Sequence, residues 1–127
     1  MLDRRSEPRL LCADLVDVSW KDSNGRTRRS VANLEDISIS GACILVDTPV
    51  PLGSMVRISY PHGNLQGHVC YCVCRYEMYY LGVEFEAGCR WSQREFRPQH
   101  LLDPRTLVNR SLKRASRVLS FTEARLN

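Results

Sequence analysis

The sequence predicts a mainly β fold, a small six-stranded antiparallel barrel followed by a C-terminal α-helix. The barrel is predicted because short stretches rich in β-branched and aromatic residues recur between residues 10 and 85, with turn signals between them. Closure is favoured over an open sheet because it removes the exposed strand edges. The helix is predicted because apolar residues recur on one helical stripe, at Val108, Leu112, Ala115 and Leu119.

Turn signals separate several of the predicted strands. Asn24-Gly25 is a strong hairpin signal after the first strand. Further turns are predicted at residues 49–53 and 61–64, which contain proline and glycine. The predicted strands cover residues 11–20, 26–34, 42–46, 55–60, 65–76 and 80–85.

Helix signals follow the last strand. Residues 92–95 read Ser-Gln-Arg-Glu, the pattern of a capping box, and predict one or two helical turns. Asp103 followed by Pro104 is typical of an N-cap residue followed by a proline at the first position of a helix. The chain is therefore divided into an arginine-bearing leader at residues 1–10, a barrel at 11–87, and a C-terminal extension at 88–127 with an amphipathic basic helix.

The charge of the chain is unevenly distributed. Its net charge is +4, but residues 88–127 carry nine basic and three acidic side chains, a net +6, so residues 1–87 sum to −2. A mildly acidic body with a basic tail differs from a uniformly basic nucleic-acid-binding protein.

The apolar stripe of the tail must be buried, and we predict that it packs on the protein's own barrel. The alternative is a second copy or a partner protein, toward which the basic side chains would steer an acidic surface.

Composition and cysteine content predict a cytoplasmic protein. Hydrophobic residues make up 43% and charged residues 25% of the chain, as in soluble globular domains. No apolar run approaches the length of a membrane span, and the polar residues after Met1 lack the apolar core of a signal peptide. Six cysteines without an export signal are expected to be reduced thiols.

Three cysteines alternate along the predicted fifth strand, at Cys70, Cys72 and Cys74. In a strand they point to one face at intervals of about 7 Å, whereas zinc sites favour cysteines that are two to four residues apart in a turn. We therefore predict small apolar packing residues rather than a metal or redox site. His68, two residues away on the same face, keeps a weaker metal alternative open.

Two polar segments are candidates for a binding site. The leader carries three arginines between residues 4 and 9, and residues 36–41 form a polar turn between two predicted strands. As ordinary turn chemistry, Asp36 and Ser38 would bond the local backbone, and Gly41 would take a positive φ.

Together, "RSEPR" at residues 5–9 and "DISISG" at residues 36–41 resemble the paired signature of PilZ domains, RxxxR followed further along the chain by D or N and then xSxxG. The resemblance extends over residues 4–86. It implies a six-stranded antiparallel barrel that binds the bacterial second messenger cyclic di-GMP. It also implies a leader that is mobile when free and wraps the bound ligand.

The resemblance further implies the ligand-binding residues. The fork of an arginine can donate two parallel hydrogen bonds to guanine O6 and N7, and a carboxylate can accept from the N1–H and N2–H groups of guanine. Arg4, next to the first motif arginine, is either a further contact or a solvated charge. The predicted ligand-binding residues are Arg4, Arg5, Arg9, Asp36, Ser38 and Gly41.

These features predict a cyclic di-GMP receptor or adaptor that changes conformation on binding and signals to a downstream protein effector. No carboxylate pair, nucleophile–base set or phosphate-cradling glycine loop indicates an enzyme, and neither a cofactor nor a metal is predicted. The alternatives are a PilZ-like interaction module that uses its basic helix, and a small basic barrel that binds single-stranded nucleic acid. The acidic body counts against nucleic acid, and the oligomeric state is left open.

Overall fold

The computed structural model describes residues 8–98 and 100–102. Six strands lie within them: β1 (Leu10–Lys21), β2 (Thr27–Ile37), β3 (Gly41–Val46), β4 (Met55–Tyr60), β5 (Gly63–Arg75) and β6 (Met78–Phe85). They form a closed antiparallel barrel in the order β1-β2-β3-β6-β5-β4, which confirms the predicted fold class. Pairing of β1 with β4, from Asp17 opposite Ser59 to Trp20 opposite Val56, closes the barrel.

The barrel interior is filled by apolar side chains from all six strands. Because successive strand residues point to opposite faces, one face of each strand supplies the core and the other faces outward. Burying one such side chain contributes about 1.5–3 kcal/mol, and a slip of one residue would expose the whole set. The core thus fixes the strand register, and its largest fully buried members are Leu34, Ile37, Ile44, Ile58 and Leu81.

Two hairpins differ in how their turns are built. In the first, the Asp22 carboxylate accepts from the backbone amides of Asn24 and Arg26, and Gly25 has a φ of 76°. The Asn-Gly signal therefore marks a real hairpin. In the second, β5 passes to β6 through two non-glycine residues with positive φ, Tyr76 and Glu77. This turn is tighter than the gap predicted between residues 76 and 80.

The C-terminal end of β2 runs further than predicted. The strand continues to Ile37 because Asp36 pairs with Leu11 of β1 on one side and with Cys43 of β3 on the other. A β-bulge between Leu34 and Asp36 accommodates one extra residue. The prediction that Asp36 belongs to a turn is therefore wrong, since its carboxylate is carried by a paired strand.

Residues 86–102 continue from β6 to the beginning of β1. Trp91 is buried, and its indole N–H donates to the carbonyl of Phe96 at 2.7 Å. The Phe96 ring stacks on Tyr60 with a centroid separation of 4.5 Å. Leu102 and Leu11 then exchange two backbone hydrogen bonds of 2.6 and 2.7 Å. From residue 88 onward this segment belongs to the predicted extension, and it is attached to the barrel at both of its ends.

The capping-box pattern at residues 92–95 gives a single turn, within the one or two turns that were predicted. The amides of Glu95 and Phe96 both donate to the carbonyl of Ser92 at 3.2 Å, and the buried Pro98 follows, where a helix could not continue. The predicted helix that begins near Asp103 lies outside the described residues. Within the described part of the chain, no helix is long and apolar enough to span a membrane.

Candidate ligand-binding site

Arg9 and Asp36 lie side by side at the end of the barrel where β1 begins and β2 ends. Arg9 Nη1 is 3.6 Å from Asp36 Oδ1, and the two side chains are 32% and 16% exposed. Arg9 Nε is buried and has no hydrogen-bond partner among the described residues. The ion pair is longer than a hydrogen bond, so Asp36 restrains the guanidinium without using up its hydrogen-bond donors.

The Asp36 carboxylate influences two neighbouring thiols. Burial, the largest cause, raises the pKa of Cys12 to about 12 and that of Cys43 to about 11, and the negative charge of Asp36 contributes to both shifts. Both thiols are therefore protonated at neutral pH. They act as neutral packing groups beside the carboxylate rather than as reactive thiolates.

The turn after β2 is closed by Ser38. Its backbone N–H donates to the carbonyl of Gly41 at 2.8 Å, and its hydroxyl donates to the same oxygen at 3.3 Å. Ser38 is only 2% exposed. Two backbone hydrogen bonds from other segments hold the rest of the turn. The Phe85 N–H donates to the carbonyl of Ser40, and the Trp91 N–H donates to the carbonyl of Ile39. The turn is thus fixed by β6 and by the segment that follows β6.

Gly41 is required for space rather than for backbone freedom. The glycines with positive φ among the described residues are Gly25, Gly53 and Gly88, so the predicted positive φ at Gly41 is wrong. A Cβ at Gly41 would instead lie 2.7 Å from the carbonyl oxygen of Val83 on β6. The glycine allows β3 to approach β6 closely at the edge of the site.

One row of paired residues extends the site across the outer face of the barrel. From Asp36 it runs through Cys43 of β3 and Gly82 of β6 to Tyr71 of β5. Cys43 is buried but lies outside the core cluster, which contains its neighbours Ala42 and Ile44, and it shares a side-chain hydrogen bond with Tyr71. This row depends on strand register and could not be predicted from the sequence, in which a glycine inside a strand, Gly82, is a weak sign of close approach by a neighbouring group.

The three alternating cysteines do not behave as one set. Cys72 packs against the core, whereas Cys70 and Cys74 are exposed, so the predicted packing role is wrong for these two. Cys70 lies in a β-bulge between Val69 and Tyr71, which changes the face that the following residues present. All six cysteines are free, and no group of residues in the described part of the chain could hold a metal ion.

The structure brings together part of the predicted site. Arg9 and Asp36 lie within 3.6 Å of each other, and the two predicted residues of the adjoining turn, Ser38 and Gly41, shape its backbone. Arg4 and Arg5 lie outside the described residues. The described arrangement therefore offers one arginine fork, one carboxylate and a fixed turn.

The model of the PilZ domain family matches residues 3–95, which include both polar segments and all six strands. The chain belongs to the PilZ domain family. No curated protein matches it at a significant level.

Solved structures similar to this PilZ domain include three with bound ligand. The PilZ domain of Escherichia coli YcgR with cyclic di-GMP is 16% identical, with a TM-score of 0.51 over 94% of this chain and 99% of that chain. The E. coli YcgR complex with cyclic di-GMP is 18% identical, with a TM-score of 0.54 over 94% of this chain and 50% of that one. The K. pneumoniae MrkH complex with cyclic di-GMP is 16% identical, with a TM-score of 0.53 over 92% and 57%. At these identities the likeness is one of fold.

Proposed function

We propose that this PilZ domain is a receptor for cyclic di-GMP. The observation that carries the proposal is the Arg9–Asp36 pair, a half-buried guanidinium that keeps donors next to a carboxylate at 3.6 Å. Guanine has acceptors on one edge and donors on another, so it matches both groups. A site for phosphate alone would gain nothing from the carboxylate. The similar solved structures with bound cyclic di-GMP support the same ligand.

Each site residue has a proposed role. Arg9 donates to guanine O6 and N7, and Asp36 accepts from N1–H and N2–H. Arg5 provides the second motif cation for the ligand's guanine or phosphate groups, and Arg4 adds a further contact. Ser38 and Gly41 act indirectly, because the two hydrogen bonds from Ser38 to the Gly41 carbonyl hold the turn beside Asp36 in place.

Binding is proposed to act by a change of shape rather than by catalysis. The leader precedes β1 directly, so a ligand held by Arg9 would draw residues 1–8 onto the barrel. We propose that this ordering is read by a downstream protein effector and that the protein acts in the cytoplasm. The six free thiols suit a reducing compartment.

Titration calorimetry tests the proposal. The full chain is titrated separately with cyclic di-GMP, with cyclic di-AMP and with a mixed-sequence single-stranded oligonucleotide. Saturable binding of cyclic di-GMP, with much weaker binding of the other two, is expected. Binding of the oligonucleotide alone would support the nucleic-acid alternative, and a lack of binding to all three would leave an interaction module as the better description.

A further inference from the structure

Two arginines flank Ser19 on the outer face of the barrel. In the strand register, Arg29 of β2 lies opposite Ser19 on one side and Arg57 of β4 lies opposite it on the other. Adjacent strands are about 4.8 Å apart, so the two arginine backbones are roughly 10 Å apart. Val18 and Trp20 are buried in the core, so Ser19 between them points outward, and both arginines are exposed.

The two arginines have no ionic partner within the residues that the structure describes. Their neighbour Arg28 differs, because its Nη1 lies 4.0 Å from Asp22 Oδ2. Since like charges repel, folding gains nothing from bringing the charges of Arg29 and Arg57 together on one row. Both guanidinium groups are therefore available to an anion from outside the chain.

Two depressions of the surface meet at this pair, and Ser19, Arg29 and Arg57 line both of them. Their volumes are about 420 and 520 Å³, within the range of ligand-binding pockets. The lining side chains include three basic groups, the two arginines and Lys21, and one acidic group, Asp17, a net +2. Residues 1–87 sum to −2, so this surface is opposite in sign to the barrel that carries it.

The side chains at this surface suit a peptide that carries carboxylates. A guanidinium fork can donate two parallel hydrogen bonds to a carboxylate, and the Ser19 hydroxyl can donate between the two forks. Apolar side chains border the same depressions, because Val31 is 60% and Met55 is 41% exposed. A free phosphate would leave this apolar border unused, whereas a protein segment with acidic and apolar side chains would contact both parts.

We propose that Ser19, Arg29 and Arg57 form a docking surface for an acidic segment of a partner protein. Ser19 lies near the end of β1, whereas Arg9 comes just before its beginning, so docking here leaves the cyclic di-GMP site open. The inference goes beyond ligand binding, because it identifies a second site and the chemical character of the partner. Attraction between the basic surface and acidic side chains would also speed the encounter.

An NMR titration of the isotope-labelled full chain tests this surface. The probe is a short synthetic peptide of alternating glutamate and valine, and saturable shifts are expected at the backbone amides of Ser19, Arg29 and Arg57. Added salt should weaken the binding, because exposed charges are screened. A peptide with glutamine in place of glutamate should cause no such shifts.

Arginine variants supply the matched comparison. Replacing both residues, Arg29→Gln with Arg57→Gln, is expected to weaken peptide binding by about 2- to 30-fold, the range for two exposed ion pairs. Its thermal unfolding midpoint should stay that of wild type. The control is Arg75→Gln, since Arg75 is an exposed arginine at the end of β5, and it should bind the peptide like wild type.

Four results would overturn the proposal. They are equal binding of the glutamine peptide, shifts confined to residues 103–127, wild-type affinity in the folded double variant, and displacement of the peptide by tripolyphosphate that binds the same amides more tightly. The last result would assign the surface to a phosphate-bearing ligand. Because the titrations contain no cyclic di-GMP, any of these results would leave the proposed receptor function standing.

Discussion

At the scale of single residues, Arg9 combines partial burial with a loose ion pair. Its Nη1 lies 3.6 Å from Asp36, and its side chain is 32% exposed, so the pair contributes at most about 1 kcal/mol to stability. The same guanidinium could make two charge-assisted hydrogen bonds to guanine. Its contribution to binding should therefore be larger than its contribution to folding.

Replacing either motif arginine should separate those two contributions. Arg9→Ala and Arg5→Ala are each expected to cost about 1.5–3 kcal/mol of cyclic di-GMP binding by calorimetry. The free energy of unfolding should change by less than about 1 kcal/mol in urea titrations. Arg94→Ala is the matched control, since exposed Arg94 belongs to a second RxxxR pattern at residues 90–94. Wild-type affinity in both motif variants would show that these arginines do not clamp the ligand.

Asp36 should decide which base is accepted. Adenine lacks the two donors that guanine offers on the edge facing the carboxylate. Asp36→Ala is therefore expected to weaken cyclic di-GMP binding and to lower the ratio of cyclic di-GMP to cyclic di-AMP affinity. Ser38→Ala should have a smaller effect, and Asp47→Ala, which removes an exposed carboxylate beyond the other end of β3, should have none. An unchanged ratio in Asp36→Ala would mean that the carboxylate has a structural role only.

Sequence alone could find Arg9 and Asp36 because each lies in a short local pattern. It could not find the row of paired residues that leads from Asp36 to Tyr71, because that row passes through residues of two other strands, Cys43 and Gly82. The row depends on strand register, which the core determines across long sequence separations. The requirement for glycine at position 41 could not be predicted for the same reason. The carbonyl that leaves no room for a Cβ at this position belongs to Val83 on β6.

At the scale of the elements, a β-bulge in β5 changes how the strand should be interpreted. Strict alternation placed Cys70, Cys72 and Cys74 on one face, but the bulge between Val69 and Tyr71 interrupts that alternation. The residue types at this position do not predict the bulge. The strands themselves were predictable, because their apolar alternation and the Asn24-Gly25 signal are local features.

The β5–β6 turn uses residues poorly suited to its backbone. Tyr76 and Glu77 have φ values of 51° and 64°, a region that favours glycine and asparagine. Replacing both, Tyr76→Asn with Glu77→Gly, should therefore raise the free energy of unfolding by about 1 kcal/mol, measured in urea. Tyr76→Ala serves as the control because it removes an exposed ring but keeps a Cβ at positive φ. A double variant no more stable than this control would argue that the turn is not strained.

At the scale of the whole molecule, the segment after β6 joins the parts of the site. Trp91 N–H binds the carbonyl of Ile39 in the turn after β2, and Leu102 pairs with Leu11, two residues after Arg9. The segment after β6 therefore contacts both the beginning of β1, which follows the leader, and the turn after β2. If a bound ligand displaced the leader, the movement would reach this segment. The Leu11–Leu102 bridge lies next to the proposed binding surface.

Deleting residues 104–127 tests what the apolar stripe of the tail contacts. We predict that it packs on the barrel, so the deletion should lower the free energy of unfolding by several kcal/mol or make the protein insoluble, because burial of four apolar side chains is lost. The assembly state in analytical ultracentrifugation should not change. The triple variant Val108→Ser, Leu112→Ser and Leu119→Ser should reproduce the loss, whereas Arg110→Gln, Arg114→Gln and Arg117→Gln together should not. A soluble truncation of unchanged stability that still binds cyclic di-GMP would contradict self-packing. If it also lost an oligomer, the stripe would be assigned to a second copy of the chain.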